Sequence, residues 1–248
     1  MLVVRGEEES LLRENGSKSP VSINIETATI ERCILGAIAI VWALGVFRVV
    51  WAEMFGGALY NLMTRIDLDR ETSIATYLST LLLVAAAILA YICGRASRVN
   101  DPLNFRHWMI LSVVFVYLSI DENIGLHEVS IEPMREMFGL SGVFTFGWVL
   151  LAIPVVMLLG LYYIPFLLRL PRQLAATLCV AGGLFVFGAI GVEMLGASFY
   201  TTSNQTLVYR MFLLLEEGLE MIGVAIFLIA LLRYLAPQKP SLVLGGGA

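Results

Sequence analysis

The chain has 248 residues, 58% of them hydrophobic and 15% charged, with a formal net charge of −4 and a mean hydropathy of +0.83. A charged share this far below the quarter typical of soluble domains excludes an ordinary water-soluble globule, and an acidic balance without a Lys/Arg cluster excludes a nucleic-acid-binding surface. The bilayer is the expected solvent, and a helix needs about 20 apolar residues to cross a hydrocarbon core about 30 Å thick with its own hydrogen bonds satisfied.

Residues 1–30 are polar and of mixed charge (GEEESLLRENGSKSP), unlike a cleavable signal peptide, and read as a cytoplasmic tail. Six apolar runs follow, at about 31–54, 73–95, 107–128, 143–169, 173–197 and 209–234. They predict an all-α polytopic bundle of six transmembrane helices over 31–234, closed by a second cytoplasmic tail over 235–248. Between runs three and four, Pro133 interrupts the helical pattern and an amphipathic MREMFGL follows, suited to lying on the membrane surface. Pro154 and Pro165 predict a kink or early end in helix four, and Gly182, Gly183, Gly188 and Gly191 predict close helix contact in helix five.

Orientation follows from the basic residues outside the spans. Arg5, Arg13, Lys18, Arg32, Arg95, Arg98, Arg106, Arg169, Arg172, Arg233 and Lys239 fall on the side of the N-terminus, against Arg65, Arg70, Arg135 and Arg210 opposite. The positive-inside rule then puts both termini in the cytoplasm and the chain in the plasma (inner) membrane.

The chemistry lies in embedded charges. SIDENIGLHE carries Asp121, Glu122, His127 and Glu128 at the end of helix three. On a continuing helix Asp121 and Glu128 share a face, His127 flanks them and Glu122 points elsewhere. LLLEEGLEMIG in helix six gathers Glu216, Glu217 and Glu220 on one stripe, and GAIGVEMLG in helix five adds Glu193. Every one of these acids falls in the outer half of the predicted bundle, where bare charge is costly unless neutralised. Oxygen donors with one imidazole suit a hard or borderline divalent metal, so Asp121, His127, Glu128, Glu193, Glu217 and Glu220 are the candidate ligands. Glu216 is a spare acid or base, and Arg48 in helix one is the expected counter-ion, paired with Glu216 or Glu217. Glu53, Glu71 and Glu122 read as solvated helix-end charges, and His107 beside Arg106 as an interfacial anchor. Cys33, Cys93 and Cys179 lack metal-site spacing and read as small buried hydrophobes.

With these segments the chain resembles uncharacterised multi-pass bacterial membrane proteins that carry a D-E…H-E segment and a later E-E-x-x-E-M helix. The resemblance implies that these residues belong together and implies no particular reaction. GLSG at Gly139 to Gly142 is also similar to the nucleophile motif of rhomboid proteases, but helix six offers glutamates where a rhomboid base would be histidine. The expected function is therefore a membrane-embedded divalent-metal site doing metal-assisted chemistry on a lipid-soluble substrate. A cation- or proton-coupled transporter and a non-catalytic subunit of a membrane complex are the alternatives. The expected partners are the bilayer and that substrate, with self-association left open.

Overall fold

The computed structural model describes residues 27–56, 59–98, 101–200 and 206–236. The expected tails lie almost wholly outside these, although the first helix begins four residues before the expected boundary. Among the described residues, six helices are long and apolar enough to cross a bilayer, and no strand occurs. They are α1 (Thr27–Phe55), α2 (Ile74–Ser97), α3 (Pro102–Ile124), α4 (Val149–Arg169), α5 (Arg172–Ala197) and α6 (Leu207–Leu235). This is the architecture of a multi-pass membrane protein.

Local sequence sets the ends. Ser73 caps α2 by accepting from the Thr76 N–H, Asp101 caps α3 from Asn104, and Thr206 caps α6 from Tyr209. Pro102 occupies the first turn of α3, where no helical N–H is lost, so that helix starts before the run of apolar residues does. It also stops earlier than the expected 128. Gly125 adopts a left-handed conformation, φ 54°, and its N–H closes the helix on the Asp121 carbonyl at 2.8 Å. Between α3 and α4 lie a short helix, Ile131–Phe138, and single turns, so α4 begins at Val149 and not near 143. Of the kink or early end expected in α4, the early end does not occur, for the helix runs through Pro154 and Pro165 to Arg169.

α6 is the central post. Its buried side includes Met221, Ala225, Leu228 and Leu231, packed with α1, α2 and α5. Gly223 lies against the backbone of Ala181 and Phe185 in α5, an approach that any side chain would obstruct. Gly218 leaves room for the Trp42 indole, whose Nε1–H donates to the Leu214 carbonyl at 2.9 Å and ties α1 to α6. The same two helices are clasped by Arg233 to Glu31 at 2.6 Å at one end and by Arg210 to Glu53 at 3.3 Å at the other. α2 and α3 form the most intimate pair, with the Ser112 hydroxyl donating to the Ala87 carbonyl at 2.8 Å.

α4 stands apart, and of its residues Val149 and Phe166 are buried. Near Phe166 the expectation for His107 is corrected. This ring is not an interfacial anchor but is buried, stacked against Tyr162 and Phe166, with its Nδ1 against the Leu103 carbonyl at 2.7 Å. The aromatic residues of α4 supply a packing surface that a reading of α3 alone does not contain. Of the cysteines, Cys93 is buried as expected, whereas Cys33 and Cys179 are exposed because they lie on the outer faces and cavity wall of α1 and α5.

An acidic cavity between α3, α4, α5 and α6

The buried residues of α4, Val149 and Phe166, lie near its two ends, and between them the bundle leaves a partly open cavity of about 1030 Å³. One end of it is acidic. Asp69 and Glu71 enter from the α1–α2 connection, Asp121 and Glu122 from α3, Glu128 from the turn beyond, Glu193 from α5, and Glu216, Glu217 and Glu220 from α6. His127 completes this end. Glu217 lies within electrostatic reach of Glu122, Glu220 and Asp69, and Glu220 within reach of Glu122, Glu193 and Asp121. Glu216 interacts likewise with Glu193 and with both other acids of α6.

His127 and Asp121 meet by a different route from the shared helix face expected for them. Since α3 ends at Ile124, the left-handed Gly125 reverses the chain and brings His127 back over the last turn. The Asp121 carboxylate then accepts twice, from the His127 backbone N–H at 2.9 Å and from the ring at Nδ1 at 2.8 Å. Burial alone would favour the neutral imidazole, but the bond to Asp121 and the nearby charges of Glu193 and Glu128 outweigh it and hold the His127 pKa above its ordinary 6.5. Glu128 sits in the following turn, exposed, with its carboxylate beside Gly125.

Glu193 owes its position to an irregularity in α5. Residues Phe187–Val192 form a π-helical turn, and Glu193 follows directly. Gly188 lies in that turn against the Glu216 carbonyl and the Glu220 side chain, so α5 and α6 approach where the acids cluster. The Trp148 Nε1–H donates to Glu193 Oε1 at 2.9 Å, while Glu193 Oε2 is buried without a hydrogen-bond partner among the described residues. The Trp148 ring also packs on His127, with centroids 4.8 Å apart. Among the described residues, no hydrogen bond or ion pair reaches Glu216, Glu217 or Glu220, and no group of three or more His, Cys, Asp or Glu is close enough as it stands to hold a metal ion.

Two expectations are corrected here. Arg48 does not pair with Glu216 or Glu217 but with Asp67, at 2.6 Å. Leu68 packs against Gly45 and near Leu214, filling the gap between α1 and α6 and keeping the guanidinium on the side of the α1–α2 connection. Glu122 is not a solvated helix-end charge: it lines the cavity within reach of the Ser79 hydroxyl and His127. Glu71 also lines the cavity, close to Gly125, but is exposed, as expected of it. The cavity is wide enough to admit neighbouring residues of α3 that point 100° apart. Ser141, in the rhomboid-like GLSG, does not line it.

Reading the sequence missed Asp69 and Trp148 as well. Asp69 sits in an aperiodic connection, and Trp148 stands inside what looked like an uninterrupted apolar run. No curated protein and no solved structure matches the chain. The match of residues 32–235, nearly the whole membrane portion, to one family model shows that the chain belongs to the family described as Domain of unknown function (DUF8692).

Proposed function

We propose that the acidic end of the cavity binds one or two divalent cations and uses them in metal-assisted chemistry on a lipid-soluble substrate. The observation that carries this reading is the gathering of Glu216, Glu217 and Glu220 of α6, which no hydrogen bond or ion pair reaches among the described residues, and of Glu193 of α5, whose Oε2 is buried without a hydrogen-bond partner among them, around a space that also receives Asp121, Glu122 and His127. Such groups are tolerated in a low-dielectric setting when protons or cations neutralise them. Glutamates have three rotatable side-chain bonds, and a cation entering the space would draw them inward from their open arrangement. In this scheme His127 presents Nε2, its ring oriented by Asp121 at Nδ1, the support by which carboxylates commonly fix metal-binding imidazoles. Glu193, Glu217 and Glu220 supply oxygen ligands, with Glu128 at the mouth and Glu216 available to move a proton. The cation would polarise a substrate oxygen or activate water.

Metal analysis of protein purified in mild detergent tests this directly. The wild type should carry a divalent metal, and Glu217→Gln, Glu220→Gln and His127→Ala should each lose most of it, whereas Glu132→Gln, on the short connecting helix, should not. Wild-type protein devoid of metal after incubation with magnesium, manganese, iron and zinc would refute the proposal. Proteoliposome flux of the same cations would favour transport, a reading that the closely packed apolar half of α6 beyond Gly223 argues against.

A further inference from the structure

The cavity is far larger than a cation site requires. A water molecule's share of volume is about 30 Å³, so an ion with its remaining waters would occupy a small part of the 1030 Å³. The whole instead matches the upper limit of pockets that enclose organic ligands, roughly 300–1,000 Å³. Beyond the acids it continues as an apolar arm walled by Leu159 and Gly160 of α4, Gly182 and Gly183 of α5, and Phe227 of α6, with Phe166 among the residues at the far end. Along α4 the lining extends from Trp148 to Leu167. At 1.5 Å per residue that is roughly 28 Å, nearly the thickness of the hydrocarbon core.

The α4 wall is also loosely sealed. Its buried residues, Val149 and Phe166, lie near its two ends, and Leu151 and Val155, which line the cavity, are 51% and 54% exposed. Gly160, Gly182 and Gly183 have open space where a side chain would project. The result is a long slot, narrow in chemistry and accessible from the side, with its polar groups at one end.

We infer that this arm holds the hydrocarbon chain of a long-chain amphiphile whose amine or hydroxyl head lies among the acids. The inference rests on the reading of the acidic end as a reaction centre for a lipid-soluble substrate and specifies that substrate's class. Lipid tails are as apolar as the slot, so the chain gains little by leaving the bilayer, and selectivity must come from the head. Carboxylate oxygens that the cation leaves free accept hydrogen bonds, which favours a head that donates them. The nine carboxyl groups lining this end outnumber the charges of one or two divalent cations, so a phosphate head would add negative charge to a site that already holds an excess of acids.

The test uses the full chain in lipid nanodiscs with hexadecylamine carrying a diazirine at the chain terminus. Photolysis should label the stretches Leu159–Leu167 and Leu178–Val186. Unlabelled hexadecylamine should compete at least about tenfold better than hexadecyl phosphate, a difference of about 1.4 kcal/mol. Gly160→Phe and Gly183→Phe, on opposite walls, should each block labelling of the arm while metal content stays unchanged. Labelling spread over lipid-facing positions such as Ile40, and indifferent to both substitutions, would overturn the inference, as would equal competition by the phosphate. Metal retained in protein that fails this test leaves the cation site standing alone, and arm labelling in protein that never holds metal removes the cation reading alone.

Discussion

Replacing Gly125 by alanine tests whether the turn after α3 builds the acidic end. Gly125 has φ 54°, and an added Cβ would run into Glu71 Oε1 and come within 3.4 Å of the Glu128 carboxylate. Left-handed backbone costs a non-glycine residue about 1–2 kcal/mol. Displacing Glu71 or opening the turn adds to this, and opening it gives up the charge-assisted contacts of His127 with Asp121, worth about 1.5–3 kcal/mol each. The chain will take the cheaper course, so we expect a loss of about 2–3 kcal/mol from the strain plus the forced movement of one carboxylate. Gly139→Ala is the matched control, because Gly139 is also left-handed, φ 62°, yet has nothing within 4 Å of the added atom. It should lose about 1–2 kcal/mol from backbone strain alone. Reversible unfolding of purified protein in mixed micelles, followed by circular dichroism, measures both. A Gly125→Ala loss no greater than that of Gly139→Ala would mean that neither Glu71 nor Glu128 depends on the space beside Gly125.

Three further outcomes follow from particular contacts. Arg48→Leu should destabilise by about 3–5 kcal/mol, as expected when one partner of a largely buried pair is removed. The loss should be the same with and without chelator, since Arg48 answers to Asp67 and not to the α6 acids; a loss that shrinks when metal is added would contradict this. Asp121→Asn, in metal-free protein, should cost most below about pH 6.5. Because the folded imidazole of His127 has a raised pKa, the pair's contribution is complete below the unfolded value and fades as pH climbs through the folded one. Melting curves whose mutant gap stays constant up to alkaline pH would refute that coupling. Gly223→Ala should cost about 1–3 kcal/mol by overpacking, since its methyl group would sit 2.8 Å from the Ala181 carbonyl oxygen and 2.9 Å from the Phe185 nitrogen. A neutral result in the same unfolding assay would show that α5 and α6 separate without penalty.

The spans were legible because a bilayer demands long apolar stretches, a signal strong enough to survive the charges embedded in α3 and α6. Their acids were legible for the same reason, as costly exceptions to it. Angular reasoning failed where the helix itself ended. Projecting His127 and Glu128 onto α3 at 100° per residue carried the pattern through Gly125, although a glycine after an amide-bearing turn is a familiar stop signal. The partner of Arg48 was illegible for a different reason. Asp67 and Leu68 lie in a connection without periodicity, and only three-dimensional packing shows Leu68 filling the space through which Arg48 was expected to reach α6. Glu122 projects from a different face of α3 than Asp121, which marks it as solvated in a one-sided site, but a cavity of this width collects more than one face of a helix.

The π turn in α5 carries a consequence for how Glu193 can change over time. A helix that spends five residues where four would close its hydrogen bond has in effect taken up one residue more than its regular neighbours, shifting the phase of everything after it by about 100°. Glu193 therefore faces the cavity through a counting of residues as much as through its own chemistry. Deleting Ala189 would let the stretch relax to regular helix and swing Glu193 away from Trp148, although every acid in the chain would still be present. A one-residue insertion or deletion in this turn is thus enough to turn a carboxylate toward the cavity or away from it, with every acid of the chain kept.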